Sequence, residues 1–238
     1  AGDLSPWLDL RLMPREAKFP LLEAQTHRRF IKTHLPLDAF VCRPEVKHIY
    51  VARDGRDAVW SLHNHYLNFT DEIIDLFNNG PDRAGTPVVR PSDDPHAFYR
   101  DWFNGGDSPP WSLWENIRTW WEYRDLPNIR LVHFNDLKRD PEGEIRAIAD
   151  FLEIEVPADR WPAILEYCSF DFMKTNADKA APLGGQIFKG GGKTFINKGT
   201  NGRWRDALTA DEITAYEKRA LDELGPECAR WLAEGGKA

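Results

Sequence analysis

Cysteine is scarce in this sequence. The 238 residues include three, Cys42, Cys168 and Cys228, and no two of them form a C-x-x-C pair. An odd number without paired spacing provides neither a disulfide framework nor a zinc site, and it indicates a reducing compartment. The scarcity of cysteine therefore predicts a cytoplasmic protein.

Long apolar runs are missing as well. No stretch approaches the ~18 consecutive apolar residues of a membrane span, and no signal peptide is visible, so stable membrane insertion is not expected. The net charge of −7 argues against a general nucleic-acid binder. No metal-binding motif such as H-E-x-x-H or an EF-hand loop occurs, and no metal is expected.

The residues that are present suit a soluble globular protein. Hydrophobic residues make up 42% and charged residues 29% of the chain, which is ordinary for that class. A length of 238 residues is enough for one substantial core or two small ones. Ten tryptophans are unusually many. Most are expected in the core, and the rest could line a pocket for flat apolar ligands.

The strongest local pattern lies between Lys47 and Ser61. Apolar, β-branched residues predict a strand over about Val46 to Ala52, and a helix is predicted to begin near Asp57. Arg53 lies at the junction. A helix N-terminus and a guanidinium both attract an anion such as phosphate. The alternative is a surface ion pair between Arg53 and Asp57 beside an ordinary strand–helix turn.

Strand and helix patterns alternate along the chain. A second apolar run predicts a strand over Ile129 to Phe134, and capping boxes at Ser112 and Thr209 predict helix starts, with the last helix ending near Leu224. Residues 78–110, rich in Gly, Pro, Asp and Asn, are predicted to form a long loop, either a mobile lid or a solvated surface loop. The alternation favours an α/β fold with a parallel sheet.

Lys32 and His34 could carry chemistry. They lie two residues apart in a short strand predicted around Phe30 and Ile31, which places both side chains on one face. At neutral pH a histidine can accept a proton from a hydroxyl, and a lysine can stabilise developing negative charge. A lone histidine near a strand end is also commonly structural, so these residues alone leave both interpretations open.

Asn197, Lys198 and Gly199 form a basic, glycine-containing loop. Backbone N–H groups and a lysine together can cradle a phosphate, whereas a solvated basic loop is the alternative. The preceding stretch Gly190 to Thr194 matches a Walker loop only in part, because that motif needs glycine at the position of Ile187. A nucleoside triphosphatase is therefore not predicted from it.

Four motifs together resemble the cytosolic sulfotransferase family, whose members use 3′-phosphoadenosine 5′-phosphosulfate (PAPS). They occur in the family's order over about residues 28–209. The four stretches are Lys32 to Pro36 (K-T-H-L-P), Ile49 to Ser61 (Y-V-x-R-x-x-x-D-x-x-x-S), Trp120 to Pro141 (W-W…Y-E-D-[ML]…P) and Asn197 to Thr209 (R-K-G-x-x-G-D-W…F-T). Residues Ser169 to Lys174 also resemble the family's S-F-x-x-M-[KR] segment.

The resemblance implies roles at the matching positions. His34 would deprotonate the acceptor hydroxyl, and Lys32 would stabilise the transferring sulfuryl group. The nucleotide would be held at its 3′-phosphate and at its adenine. The residues implied for the 3′-phosphate are Arg53, Ser61, Asn197, Lys198 and Gly199, and those implied for the adenine are Phe134, Cys168 and Phe170.

The sequence also departs from the family pattern. Asn197 stands where the family has arginine, which weakens one phosphate contact, and Arg203 stands where it has aspartate. The family's 5′-phosphosulfate loop, Y-P-K-S-G-T-[TS]-W, should precede Lys32 and does not occur. We therefore expect the first strand, that loop and the first helix to lie before Ser5, outside this sequence. A chain that truly began at Ala1 would be inactive.

The combined prediction is an α/β protein with a P-loop-type parallel sheet flanked by helices, a single domain over residues 1–238. It would transfer the sulfuryl group of PAPS to a hydroxyl or amine of a small apolar, aromatic or lipid-like acceptor and release adenosine 3′,5′-bisphosphate (PAP). The residues expected to line the acceptor site are Trp7, Trp102, Trp111 and Phe172. No nucleic-acid partner is expected, and a homo-oligomer is compatible with the sequence. The alternatives are a non-catalytic module that binds PAP or another nucleotide, and a P-loop kinase-like enzyme.

Overall fold

The computed structural model describes residues 5–10, 14–80, 86–106 and 112–238. Its two strands are β1 (His48–Ala52) and β2 (Ile129–His133). The α-helices, in chain order, are α1 (Arg15–Glu23), α2 (Gly55–Asn68), α3 (Asp71–Asn79), α4 (Pro95–Phe103), α5 (Leu113–Glu122), α6 (Phe134–Arg139), α7 (Pro141–Phe151), α8 (Trp161–Tyr167), α9 (Phe170–Thr175), α10 (Ala177–Ala180), α11 (Gly192–Phe195) and α12 (Ala210–Glu234). None of these described helices is both long and apolar enough to cross a bilayer.

The two strands form a parallel pair. His48 lies opposite Ile129, and Ala52 lies opposite His133. A parallel pair requires a crossover connection, and here the chain between the strands contains helices α2 to α5. Both strands fall within the spans that β-branched and apolar residues predict. The α/β class with a parallel sheet and flanking helices is confirmed.

Contacts divide the chain into two compact units. Unit 1 comprises Ala1–Leu35, Leu62–Pro95 and Phe170–Gly199. Unit 2 comprises Pro36–Ser61, His96–Ser169 and Thr200–Ala238. The single domain over residues 1–238 stays a prediction.

The core of unit 2 lies between helices α5 and α12. Trp114 and Ile117 of α5 are 4% and 1% exposed, and they pack with Tyr216 and Trp231 of α12 and with Ala52 at the end of β1. The helical spacing of the α5 residues predicts this buried face. Burying large aromatic side chains supplies much of the hydrophobic stabilisation of such a layer.

The core of unit 1 is aromatic. Phe69, Ile73 and Phe188 are buried together, and Phe69 forms an antiparallel bridge with Phe188. The backbone N–H of Lys189 donates to the carbonyl of Asn68 at 2.7 Å. These contacts fix the segment around residue 188 against the end of helix α2.

The loop predicted over residues 78–110 is wrong in part, because helix α4 forms inside it. Two aromatic side chains of α4, Phe98 and Tyr99, are buried, and the burial of this short apolar segment outweighs the loop-forming composition around it. The side-chain amide of Asn78 also pairs with the backbone of Val88, at 2.7 and 2.9 Å. Residues 81–85 and 107–110 of the predicted loop lie outside the described residues.

One further prediction is wrong, and another is refined. No strand forms around Phe30 and Ile31 in the described chain, where a single bridge joins Trp7 to Lys32 instead. The predicted end of the last helix near Leu224 is confirmed as a break in α12, because Gly225 is non-helical with a φ of +73°, and a second helical stretch runs from there to Glu234. Pro226 follows the break, and proline is well suited to the first turn of the helical stretch that begins there.

Candidate functional site

Lys32 is held in place in unit 1 by the segment that contains Trp7. The N–H of Leu8 donates to the Lys32 carbonyl at 2.8 Å, and the N–H of Lys32 donates to the Pro6 carbonyl at 2.9 Å. The bridge places the Lys32 and Trp7 side chains on one side, where the ammonium lies 4.3 Å from the centre of the indole ring. This cation–π contact orients the lysine, although the residue as a whole remains exposed.

His34 contacts the same segment. Its ring lies edge-on to Trp7 with the ring centres 4.5 Å apart. Its backbone N–H donates to Oδ1 of Asp9 at 3.1 Å, and its Nδ1 lies 3.9 Å from Oδ2 of the same carboxylate. Trp7 therefore contacts both Lys32 and His34, and Asp9 anchors the histidine backbone.

Burial and charge keep the His34 imidazole neutral. Burial, reinforced by the charge of Lys32 and opposed by Asp9, lowers the pKa of His34 to about 4. Although Lys32 as a residue is exposed, the partial desolvation of its ammonium lowers its pKa, and Asp9 opposes that change. A neutral imidazole beside a cation is an arrangement that can accept a proton while negative charge develops nearby.

His65, on the last turn of α2, also belongs to this region of unit 1. Burial and the charge of Lys32 lower the pKa of His65 to about 4. The ring stacks on Phe195 with 5.1 Å between ring centres and lies 5.6 Å from Phe188. No motif points to His65, and only the fold shows that it lies within the influence of Lys32.

The loop Asn197 to Gly199 lies against helix α9 in unit 1. Gly199 has a φ of +61° and packs so closely on Phe170 that a Cβ there would lie 2.6 Å from two ring carbons. Lys198 is exposed, and the described residues offer its ammonium no hydrogen-bond or ion-pair partner. The structure thus brings together Phe170 and Gly199 from two separate motifs.

Arg53, at the end of β1 in unit 2, is held by the chain that begins at Thr200. Its Nε donates to the side chain of Asn201 at 2.8 Å, and its Nη2 donates to the Thr200 carbonyl at 2.9 Å. The guanidinium lies 4.7 Å from the centre of the Phe134 ring. Burial and nearby Arg203 lower the pKa of Arg53, and Asp57 opposes them. The guanidinium remains charged at any pH of interest.

Asp57 closes the turn between β1 and α2 in unit 2. Its carboxylate accepts the N–H of Gly202 at 2.9 Å through each oxygen and lies 3.9 Å from the Arg53 guanidinium. The side chain of Asp57 is 4% exposed. The alternative predicted from the sequence, a surface ion pair between Arg53 and Asp57, is wrong for the aspartate, because its nearly buried carboxylate is hydrogen-bonded to Gly202 and so joins the turn to that residue.

Other predicted residues are distributed over both units. Ser61 is half-buried on α2, and Cys168 is exposed at the end of α8. Among the residues expected to line an acceptor site, Trp102 packs in the core of unit 2 and Phe172 is half-buried in unit 1. Trp111 lies outside the described residues.

Comparison with known proteins decides the family. A family model described as the sulfotransferase domain matches residues 2–225. The chain belongs to the PAPS-dependent sulfotransferase family. The enzyme class predicted from the sequence, a PAPS-dependent sulfotransferase, is thereby confirmed.

Individual relatives agree with this assignment. The sulfotransferase is 30% identical to a glycolipid sulfotransferase of Mycobacterium bovis, over 98% of this chain and 77% of that protein. Its fold matches the structure of mouse sulfotransferase SULT7A1 complexed with PAP, with a TM-score of 0.71 over 91% of this chain and 73% of that one, at 22% identity. It also matches retinol dehydratase in complex with androsterone and inactive cofactor PAP, with a TM-score of 0.64 at 25% identity, over 94% of this chain and 64% of that one.

Sequence reasoning missed several contacts of the sulfotransferase. Asp9, Asn201 and Lys174 contact predicted site residues or their loop, and the motif matches assign a role to none of them. Asp9 is 25 residues from His34, and Asn201 is 148 residues from Arg53. Only Lys174 had a local signal, since it ends the S-F-x-x-M-[KR] segment. Among the described residues, no group of three or more His, Cys, Asp or Glu could hold a metal ion.

Proposed function

We propose that this sulfotransferase moves the sulfuryl group of PAPS to a hydroxyl of a small, largely apolar acceptor, with His34 as the general base. The observation that carries the proposal is the neutral imidazole of His34 beside the Lys32 ammonium, both in contact with Trp7. A general base must be unprotonated before it reacts, and a pKa of about 4 satisfies that requirement at neutral pH.

Binding of PAPS, an anionic sulfuryl donor, would change the pKa of His34. The charge of Lys32 disfavours the imidazolium, and an anionic group beside Lys32 would offset that effect. The pKa of His34 would then rise toward neutrality, where a general base is most efficient. Asp9 supports the same change because its carboxylate favours a protonated His34.

Lys32 is proposed to stabilise negative charge at the reacting centre. Its ammonium is oriented by the Trp7 ring, and a fixed cation needs little reorganisation when charge develops. PAPS, when bound, supplies the sulfuryl group together with a leaving phosphate. By analogy with phosphoryl transfer, we expect catalysis to come mostly from positioning and charge stabilisation.

The chemistry of the side chains suits a nucleotide with a 3′-phosphate. In unit 2, Arg53 offers a guanidinium stacked on Phe134, and Ser61 offers a hydroxyl. In unit 1, Lys198 offers an exposed ammonium, and Gly199 lies on the Phe170 ring. Charged and hydroxyl donors suit phosphate oxygens, and aromatic rings suit a purine. We propose the same roles for Asn197 and Cys168 that the motif matches imply.

The acceptor is proposed to be apolar or lipid-like. Its nucleophile is proposed to be a hydroxyl, and an amine is the alternative. One relative is named a glycolipid sulfotransferase, and one related structure contains androsterone. Trp7 supports the proposal because its indole contacts both reacting side chains and provides a flat apolar surface.

The experiment that tests the proposal is sulfuryl transfer from labelled PAPS to a panel of lipid, steroid and phenol acceptors. The full-length protein is compared with His34→Ala, and PAP affinity is measured for both by titration calorimetry. We expect His34→Ala to abolish transfer while the PAP affinity stays within about twofold. His27→Ala is the matched control, since His27 is an exposed histidine of the same unit.

Two outcomes would contradict the assignment of His34. Transfer that persists in His34→Ala would exclude it as the base, and loss of PAP affinity would give it a structural role instead. Calorimetry with ATP tests the nucleotide preference: equal or tighter binding of ATP than of PAP would contradict the proposed recognition of the 3′-phosphate. Binding of PAP without transfer to any acceptor on the panel would contradict the proposed acceptor class.

A further inference from the structure

Lys174 lies beneath the loop that leads to Lys198. Its ammonium donates to the carbonyl of Lys193 at 2.5 Å, to that of Asn197 at 3.0 Å and also to that of Ile196. Three carbonyls thus meet one half-buried ammonium, whose three N–H groups match them in number. Hydrogen bonds to a charged donor are the stronger kind, so this contact holds the loop firmly.

The orientation of these carbonyls determines where the next N–H groups point. In a planar trans peptide the C=O and the following N–H point in opposite directions. Because the carbonyls of Ile196 and Asn197 point at Lys174, the N–H groups of Asn197 and Lys198 point away from it. Successive N–H groups that point the same way can form an anion-binding concavity.

Helix α9 holds the loop at a second point. Phe170, at the start of α9, lies directly against Gly199, and Lys174 lies one turn further along the same helix. The positive φ of Gly199 turns the chain at the end of the loop. A short helix therefore contacts both ends of the segment from Ile196 to Gly199.

We infer that Lys174 is a positioning residue for the 3′-phosphate of the bound nucleotide: its ammonium fixes two carbonyls and so directs the N–H groups of Asn197 and Lys198 toward that phosphate. Lys174 itself does not touch the nucleotide in this arrangement. The inference rests on the proposed function, because it assumes that this loop contacts the 3′-phosphate of PAPS or PAP.

The test compares two nucleotides that differ in the 3′-phosphate. Calorimetry with PAP and with adenosine 5′-monophosphate is carried out on the protein and on Lys174→Met, which keeps a linear side chain without the charge. We expect Lys174→Met to weaken PAP binding about tenfold or more and to change binding of the monophosphate by less than about twofold. Lys174→Arg restores most of the PAP affinity, because the guanidinium can again donate to several carbonyls.

Lys179→Met is the matched control, an exposed lysine on the neighbouring helix α10, and it should bind both nucleotides as the unaltered protein does. Unchanged PAP affinity in Lys174→Met would overturn the inference, as would an equal loss for both nucleotides or failure of Lys174→Arg to restore binding. If the unaltered protein does not bind PAP, the proposed function fails and the inference fails with it. That result is distinct from one in which the protein binds PAP and Lys174 has no effect.

Discussion

Gly199 lies directly against the Phe170 ring. A Cβ at position 199 would come within 2.6 Å of two ring carbons, and the backbone φ there is +61°. Glycine is therefore required at this position for two independent reasons, since a side chain would both collide with the ring and strain the backbone. The contact joins the ring that we propose for adenine to the loop that we propose for the 3′-phosphate.

Gly199→Ala should weaken PAP binding. The added methyl group must move either the Phe170 ring or the loop, and we expect the dissociation constant for PAP to rise about tenfold or more. Calorimetry measures the affinity, and urea unfolding measures the accompanying loss of stability, about 1–3 kcal/mol. Gly105→Ala is the control, because Gly105 has a φ of +91° and a methyl group added there would have nothing within 4 Å. If both variants kept full PAP affinity, the close contact would have no role in binding.

Lys32→Met should raise the pKa values of two histidines together. The charge of Lys32 lowers the pKa of His34 and of His65, each to about 4 in combination with burial. Removing the charge therefore moves both pKa values upward toward 6.5. An NMR titration of the imidazole signals measures the change directly. The pKa of His48 is lowered by burial without a contribution from Lys32, so it should not move, and a matching shift at His48 would point to a general structural change instead.

His65→Phe should make the protein less sensitive to acid. The pKa of His65 is about 4 in the folded state and 6.5 as its ordinary value, so the unfolded chain takes up a proton between these pH values and the folded chain does not. The stabilisation from the neutral ring is complete above pH 6.5 and is lost as the pH falls toward 4. Phenylalanine cannot titrate and keeps the stacking on Phe195.

The measurement is the melting temperature at pH 7 and at pH 4.5 for the protein and for His65→Phe. We expect a smaller drop in the variant, and no change in the drop for His27→Phe, which alters an exposed histidine of the same unit. An equal drop in His65→Phe and the unaltered protein would mean that His65 does not titrate in this range.

Asp57→Asn should destabilise the protein by about 1–3 kcal/mol. The carboxylate of Asp57 is nearly buried and accepts the Gly202 N–H through both oxygens. The amide of asparagine has no charge and only one acceptor oxygen. Urea unfolding gives the value. Asp71→Asn is the matched change at a side chain that is 83% exposed, where we expect a change within about 0.5 kcal/mol. Similar values for the two variants would contradict the idea that Asp57 ties residue 202 to the turn.

Local sequence patterns predicted much of the secondary structure. The strand spans around residues 48–52 and 129–133 follow from runs of β-branched and apolar residues. The capping box of Thr209 with Glu212 forms as predicted at the start of α12, and Ser112 caps α5. These predictions succeed because they depend on neighbours along the chain.

Other features could not be predicted from local pattern. Helix α4 lies in a stretch whose glycine, proline and aspartate content favours a loop, and it is stabilised by the burial of Phe98 and Tyr99. The isolated bridge of Trp7 with Lys32 replaces a predicted strand. In both cases tertiary packing outweighs the local preference.

The sequence by itself determined the family, the α/β class and the identities of the residues proposed for chemistry, because motifs and periodicity are properties of the chain. Only the tertiary structure decided which groups surround those residues: Asp9 at the backbone of His34, His65 within the field of Lys32, and Lys174 beneath the loop that carries Lys198. The physical reason is that pKa shifts and hydrogen bonds depend on distance in space, and the path of the backbone brings together groups that lie far apart in the sequence.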